Sequence, residues 1–286
     1  MHNTTLSDSP VEATSTPSNG LQVTGATGAT EITSSKVRVT TTLDGRQPAA
    51  PSIAPGVSPA GYIPLDAFPG VVPIPIGDEQ SLNFNVPAYR FAGETYTRLG
   101  VTSNGYMVAG GTSGAADISF IPQTSPDPAR PNNVLAPFWT DLTGGGAPGI
   151  LATILTDGVS SWIVIEWRVN VFGTSSSRVF QSWIGVNGVE DISFTYNPAN
   201  LPAAPPAGFG LTVGAENIEG TAGAQIAGLP TQDLRVTSTP GIPGETYTYS
   251  YVLKSNKTGN RTTRTDMTTP LVRGTTIEVD TINVTN

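Results

Sequence analysis

Pro131–Leu142 reads PNNVLAPFWTDL, the densest apolar, aromatic and proline-punctuated run in the chain. It lies near the middle, with β-type segments on both sides, and is expected to form the spine of an all-β core. Downstream, Trp162–Trp167 (WIVIEW) is apolar on both faces. Trp162 and Val164 alternate with Ile163, Ile165 and Trp167, the pattern of a central strand covered on both sides. Its lone Glu166 then needs a buried partner or a strand end near solvent. Arg178 on the next strand is expected to be that partner, and Arg168 is judged too close in sequence.

Turn chemistry fixes the surroundings. Asn104-Gly105, Asp157-Gly158 and Asn187-Gly188 each sit between two β-type runs, which predicts three hairpins. Gly (32) and Pro (25) make up about one residue in five, and charged residues are only 13%. No segment carries a helical apolar period. Eight or more regularly spaced strands predict an antiparallel β-sandwich.

The chain ends read differently from the middle. Residues 1–20 are rich in Ser, Thr and Pro and are expected to form a disordered leader. Residues 21–43 are β-type, and 46–60 reads as a Pro/Ala linker, so 21–57 forms a β segment plus linker. The main sandwich is expected over 58–238, where Tyr62–Gly77, broken by four prolines, must be an edge or covering strand. Ile118–Arg130 reads as a strand followed by a Pro-rich loop. Residues 239–286 form a β-rich extension, expected to join 21–43 in a smaller immunoglobulin-like sandwich.

Composition limits the partners. The net charge is −8, with 14 Lys+Arg thinly spread, which argues against nucleic acid and anionic membrane surfaces. No apolar run approaches the ~20 residues needed to span a bilayer. The absence of Cys removes disulfides, thiolate nucleophiles and Cys-based zinc sites. Polar residues follow Met1, so no signal peptide is expected within this sequence, and a secretion signal would lie upstream.

SNGYMVAGG, PNNVLAPFWTDL, WIVIEWRVNVF, FQSWIGVNGVEDISFTY, GLTVGAEN and DLRVTSTPG together resemble a C-terminal accessory module of secreted bacterial subtilisin-like (S8 family) serine proteases, and the nidogen-like extracellular domain. The similarity covers roughly 58–245, and VLAPFWTDL is its most specific part. It implies an extracellular or cell-surface, non-catalytic binding or spacer module, with a protein, matrix or carbohydrate partner. A stand-alone adhesion or carbohydrate-binding protein is the competing expectation.

Enzymatic readings are weak on the residues. Gly111-Thr112-Ser113 looks like a subtilase nucleophile motif, but the only His is His2, so no Ser-His-Asp site can be assembled. A glycosidase would need two facing carboxylates among Asp141, Glu166, Glu190, Asp191 and Glu216, and their spacing pairs none. Asp141 is expected to accept backbone N–H groups and hold the Gly144–Gly146 turn, with Ca²⁺ ligation beside Asp117 or a loop carbonyl as the alternative. Trp139, Trp162, Trp167 and Trp183 are read as core. Tyr247, Tyr249 and Tyr251 alternate with Thr and Ser and are the candidate ligand-stacking row, against an inward-facing stripe. Asn3, Asn256, Asn260 and Asn283 lie in N-x-[ST] sequons.

Overall fold

The computed structural model describes residues 1–270 and 272–285, and among them there is no α-helix. The strands in chain order are β1 Ser9–Pro17, β2 Leu21–Thr27, β3 Glu31–Thr33, β4 Lys36–Leu43, β5 Ala50–Pro55, β6 Ser81–Phe91 and β7 Glu94–Thr102. There follow β8 Met107–Ala109, β9 Val134–Trp139, β10 Leu142–Thr143, β11 Gly149–Thr156, β12 Ser161–Val171, β13 Ser177–Gly185 and β14 Ile192–Tyr196. The last are β15 Thr212–Glu216, β16 Gly223–Gln225, β17 Leu234–Thr239, β18 Ser250–Ser255, β19 Gly259–Thr269 and β20 Val272–Val284.

The chain divides into two compact units, Pro48–Gly241 and a second formed by Met1–Gln47 with Ile242–Asn286. The larger unit is a sandwich of two antiparallel sheets. One runs β10-β12-β13-β14-β17-β5, with β11 also paired to β12, and the other runs β16-β15-β9-β8-β7-β6. Between them lie Ile163, Ile165, Trp167 and Phe180 from the first sheet, and Leu99, Val101, Leu135 and Val213 from the second. Two ties cross this core. Trp167 Nε1 donates to Thr102 O at 2.9 Å and Tyr196 Oη to Pro137 O at 2.7 Å, so the aromatic polar ends are satisfied.

The APFW stretch forms β9, and all six residues are buried. Leu135 and Phe138 face the inter-sheet core, while Val134, Ala136 and Trp139 face outward. Strict alternation fails at Pro137 because the pairing with β15 shifts there: Thr212 opposes Trp139 and Gly214 opposes Ala136. A bulge is where a ladder tolerates a residue without an N–H.

The three Asn-Gly and Asp-Gly turns form as expected, joining β7 to β8, β11 to β12 and β13 to β14. Three expectations change. The stretch 1–20, read as a disordered leader, carries β1, whose Val11, Ala13 and Ser15 are buried between β4 and β19. Alternation of small and apolar residues, with β-branched Val and Thr as good strand formers, outweighed its low hydrophobicity. The 46–60 linker contains β5, which pairs with β17. Its prolines are tolerated because β5 is a sheet edge. Ile118–Arg130 holds no strand and instead lies over the outward face of β8 and β9.

The smaller unit places β20-β19-β1-β4-β3 in one sheet and pairs β18 with β2 in another. Both chain ends thus supply strands to it, including the 21–43 segment.

Candidate functional site

Each outer face of the main sandwich carries a non-repetitive cover held down by a buried carboxylate. On the β11-β12-β13 face, Leu65, Leu151, Trp162, Val164 and Trp183 form a second apolar cluster, packed by Ile63, Phe68 and Val71. Glu166 is fully buried beneath this cover. It accepts Leu65 N at 2.9 Å and Gln181 Nε2 at 2.7 Å, and Arg168 Nε donates to its other oxygen. Arg168 also grips Asp66 through both Nη atoms, at 2.6 and 2.7 Å. The Arg178 expectation is therefore corrected. Residues two apart on a strand share a face, so Arg168 reaches Glu166 easily. Arg178 instead donates to Ala203 O, Ala204 O and the Ser176–Ser177 turn, and its burial lowers its pKa. Tyr62, beneath the same cover, is pushed up to about 12 by burial and by the Glu166 charge.

The opposite face is closed by residues 117–130. Tyr106 Oη donates to Asp117 O at 2.9 Å, Trp139 Nε1 to Ser119 O at 2.9 Å and Thr212 Oγ1 to Gln123 O at 2.5 Å. Here Glu216 accepts Asp127 N at 2.6 Å. Its other oxygen is buried, with no hydrogen-bond partner among the described residues. Burial pushes Glu216 up to about 7, against the lowering effect of the Asp127 N–H.

Asp141 sits where β9 ends, and it does not hold the Gly144–Gly146 turn. Leu142 N donates to Asn104 Oδ1, Gly144 N to Gly77 O and Gly145 N to Thr143 Oγ1. Those donors are satisfied elsewhere, so the carboxylate is free to face Asp78 and Glu79. Carboxylate oxygens of all three lie within 4.8 Å of one another. Glu79 accepts Asn104 Nδ2 at 3.0 Å. Burial, followed by the charges of Glu79 and Asp78, pushes Asp141 up to about 6, and burial also raises Glu79. These are the residues that could hold a divalent cation, since calcium favours several carboxylate oxygens. Asp78 and Glu79 were not singled out from sequence. An acidic pair in a loop is common, and only the fold brings it 60 residues along the chain to Asp141. Asp117, the other partner considered for Asp141, is instead bound to Arg130 at 2.8 and 2.6 Å.

The remaining candidates separate cleanly. Ser113 Oγ donates to Asp117 Oδ2 at 3.0 Å and accepts Arg130 Nη2 at 2.5 Å, so its proton is committed to a carboxylate with no imidazole involved. Burial would raise Asp117, but the Ser113 N–H and Arg130 outweigh it and hold the carboxyl below its usual range. Glu190 accepts Ala92 N at 2.7 Å, and Asp191 binds Trp162 Nε1 and Arg235, both at 2.8 Å. Tyr247, Tyr249 and Tyr251 are each half-buried. Tyr247 Oη donates to Gly28 O at 2.8 Å, Tyr249 Oη pairs with Ser15 Oγ at 2.8 Å, and the Tyr249 and Tyr251 rings stack at 6.3 Å. Two of the three hydroxyls are thus spent inside the smaller unit. All four tryptophans are buried.

A family model described as NIDO related matches residues 75–253. The chain belongs to the nidogen-related family. That membership fits an extracellular-type module, and it carries no link to subtilisin-like proteases. No curated protein and no solved structure matches the chain. The nidogen-related match begins inside the main sandwich, after β5 and the 62–71 cover, and ends within β18 of the smaller unit. Among the described residues, no helix is long and apolar enough to cross a membrane.

Proposed function

We propose that this nidogen-related protein is a binding module of a secreted or cell-surface multi-domain protein, attaching its neighbour domains to an extracellular protein or matrix component. Membership of the nidogen-related family carries this reading. The disposition of the carboxylates supports its non-catalytic part. Glu166 and Glu216 are used as clips for backbone N–H groups on opposite outer faces, and Glu190 and Asp191 have separate partners. Each of these four is thus engaged by its own partners, whereas glycoside hydrolysis requires two carboxyls flanking one scissile bond. The burial of all four tryptophans, and the internal hydrogen bonds of two tyrosine hydroxyls, favour a protein ligand over a sugar stacked on an aromatic platform.

Two observations test the reading. The coding sequence upstream of Met1 is expected to encode an export signal or a further domain, a subtilisin-like protease being one candidate. Epitope-tagged protein in its native cells is expected to be digested by protease added outside intact cells. Full protection of the tag, released only on lysis, would sink the extracellular assignment.

A further inference from the structure

The covered face of the β11-β12-β13 sheet is not filled to its end. Between the start of the cover and the β11–β12 hairpin lies an open cavity of about 160 Å³. Ile63, Phe68, Leu155, Trp162 and Trp183 form its walls, and the two indoles meet edge-on at 6.2 Å. Polar lining is confined to Thr156 and Asp157 at the hairpin end. An apolar cavity of about 150 Å³ takes a benzene-sized guest, so this one fits a single phenyl ring or a branched aliphatic side chain. A sugar fits poorly, because its hydroxyls would be desolvated against indole and alkyl groups with almost nothing to accept or donate.

The mouth has a sign. Asp157 Oδ1 accepts Val159 N at 2.8 Å and Ser160 N at 2.7 Å, and no bond to its Oδ2 is found among the described residues. Those two N–H groups hold the carboxyl below its usual range, so it is ionised at neutral pH. The other nearby carboxylate, Asp191, is already matched by Arg235 and by the Trp162 N–H. Asp157 is therefore the unmatched charge beside the cavity. Exposed apolar side chains lie on the hairpins at this end of the sheet. Val159 is 94% exposed and Val189 60% exposed, on hairpins joined by the Ser161 N to Asn187 Oδ1 bond, and Val57, near the start of the cover, is 80% exposed. Val159 and Val189 thus add exposed apolar side chains at the same end of the sheet as the cavity.

We infer that this cavity is a docking site for an extracellular peptide segment that seats one phenylalanine or branched aliphatic side chain against Trp162 and Trp183 and sets a lysine or arginine against Asp157. The site deepens the binding function proposed above and rests on it. It places that function on one end of one sheet, and it names the sequence feature the partner must carry.

The test uses the full chain and two synthetic probes, N-acetyl-Phe-Lys-amide and N-acetyl-Phe-Glu-amide, read by the NMR shifts of the Trp162 and Trp183 indole N–H groups. The Lys probe is expected to move both signals saturably, with the buried Trp167 signal unmoved as a control for the fold. The Glu probe is expected to bind at least threefold more weakly. Asp157→Asn should erase that preference and leave the Phe-dependent shift. Ala60→Trp, at an exposed position on the cavity lining, should abolish binding of both probes. Equal binding of the two probes, or shifts that survive Ala60→Trp with Trp167 unchanged, would overturn the site. If Ala60→Trp still attaches to native cells or matrix as the wild type does, the pocket is wrong while the binding function stands. Loss of external protease access would instead remove the function and leave the pocket result untouched.

Discussion

Asp141 shows how a single residue changes meaning between sequence and fold. Its place after a strand suggests a turn-holding carboxylate, yet the nearby donors have closer acceptors in Asn104, Gly77 and Thr143. What remains is like-charge crowding with Asp78 and Glu79. Such a group titrates upward, and the sign of its effect on stability follows. Asp141 is raised to about 6 and Glu216 to about 7, so the native state binds protons more tightly than the unfolded chain at both positions. Their stabilising contribution is complete below about pH 4, and it is lost as pH rises through those two values. Carboxyls held low, such as Asp66 and Asp117, act in the opposite sense at more acidic pH. The melting temperature is therefore expected to peak near pH 4 and to fall by pH 7.5. Asp141→Asn should raise the melting temperature at pH 7.5 and shallow that fall, and Glu216→Gln should shallow it further. Added calcium should raise the wild-type melting temperature at pH 7.5 without affecting Asp141→Asn. A melting temperature that is flat across this range would refute the crowding argument, and a wild type indifferent to calcium would remove calcium from the account.

At the level of elements, local chemistry was legible and long-range closure was not. Asn-Gly and Asp-Gly turns could be read because a positive φ at Gly is a property of two residues. The double-sided apolar pattern of WIVIEW likewise reported a strand covered on both faces. The covers themselves were legible only in part. Tyr62–Gly77 does cover the sheet, but its prolines confine its ladder bonding to Ile74, which pairs with Ile150. Ile118–Arg130 forms no strand, and the anchors of the two covers, Glu166 and Glu216, lie about 100 residues away in sequence. The Arg168 pairing was missed through a face error, not for want of signal. One hairpin carries more than turn chemistry. Gly105 has φ +78°, and a side chain there would run into the carbonyl oxygen of Phe138, whose N–H is bonded to Gly105 O at 3.2 Å. The β7–β8 turn is thus docked against the end of β9. Gly158, at the tip of the β11–β12 hairpin, has φ +92° and open space around it. Gly158→Ala should cost about 1 kcal/mol, the backbone penalty alone. Gly105→Ala should cost at least about twice that, because the same penalty is joined by displacement of β9. Denaturant midpoints with unchanged slopes would measure both; equal losses would show that the turn is not docked.

For the whole molecule, the family boundary and the physical boundary disagree, and the disagreement is informative. The nidogen-related match covers 75–253, whereas the compact sandwich is Pro48–Gly241. A fragment cut to the family limits would lose β5 from the edge of its sheet and, with residues 62–71, the entire cover of the β11-β12-β13 face. Leu151, Trp162, Val164 and Trp183 would meet water, and Glu166 would lose the Leu65 N–H while Arg168 lost Asp66. It would also keep β18 without β2, its sheet partner. Burial of apolar surface is worth about 25 cal/mol per Å², and each of these indoles carries roughly 150–250 Å², so the uncovered tryptophans alone forfeit several kcal/mol of a typical 5–15 kcal/mol. The fragment 48–241 is therefore expected to unfold cooperatively with tryptophan emission as blue-shifted as that of the full chain. The fragment 75–253 should emit at longer wavelength, bind a hydrophobic dye and lack a sharp transition. If 75–253 instead matched 48–241 in midpoint and emission, the 48–74 segment would be an ornament on the fold, and the cavity it helps to wall would lose its structural basis.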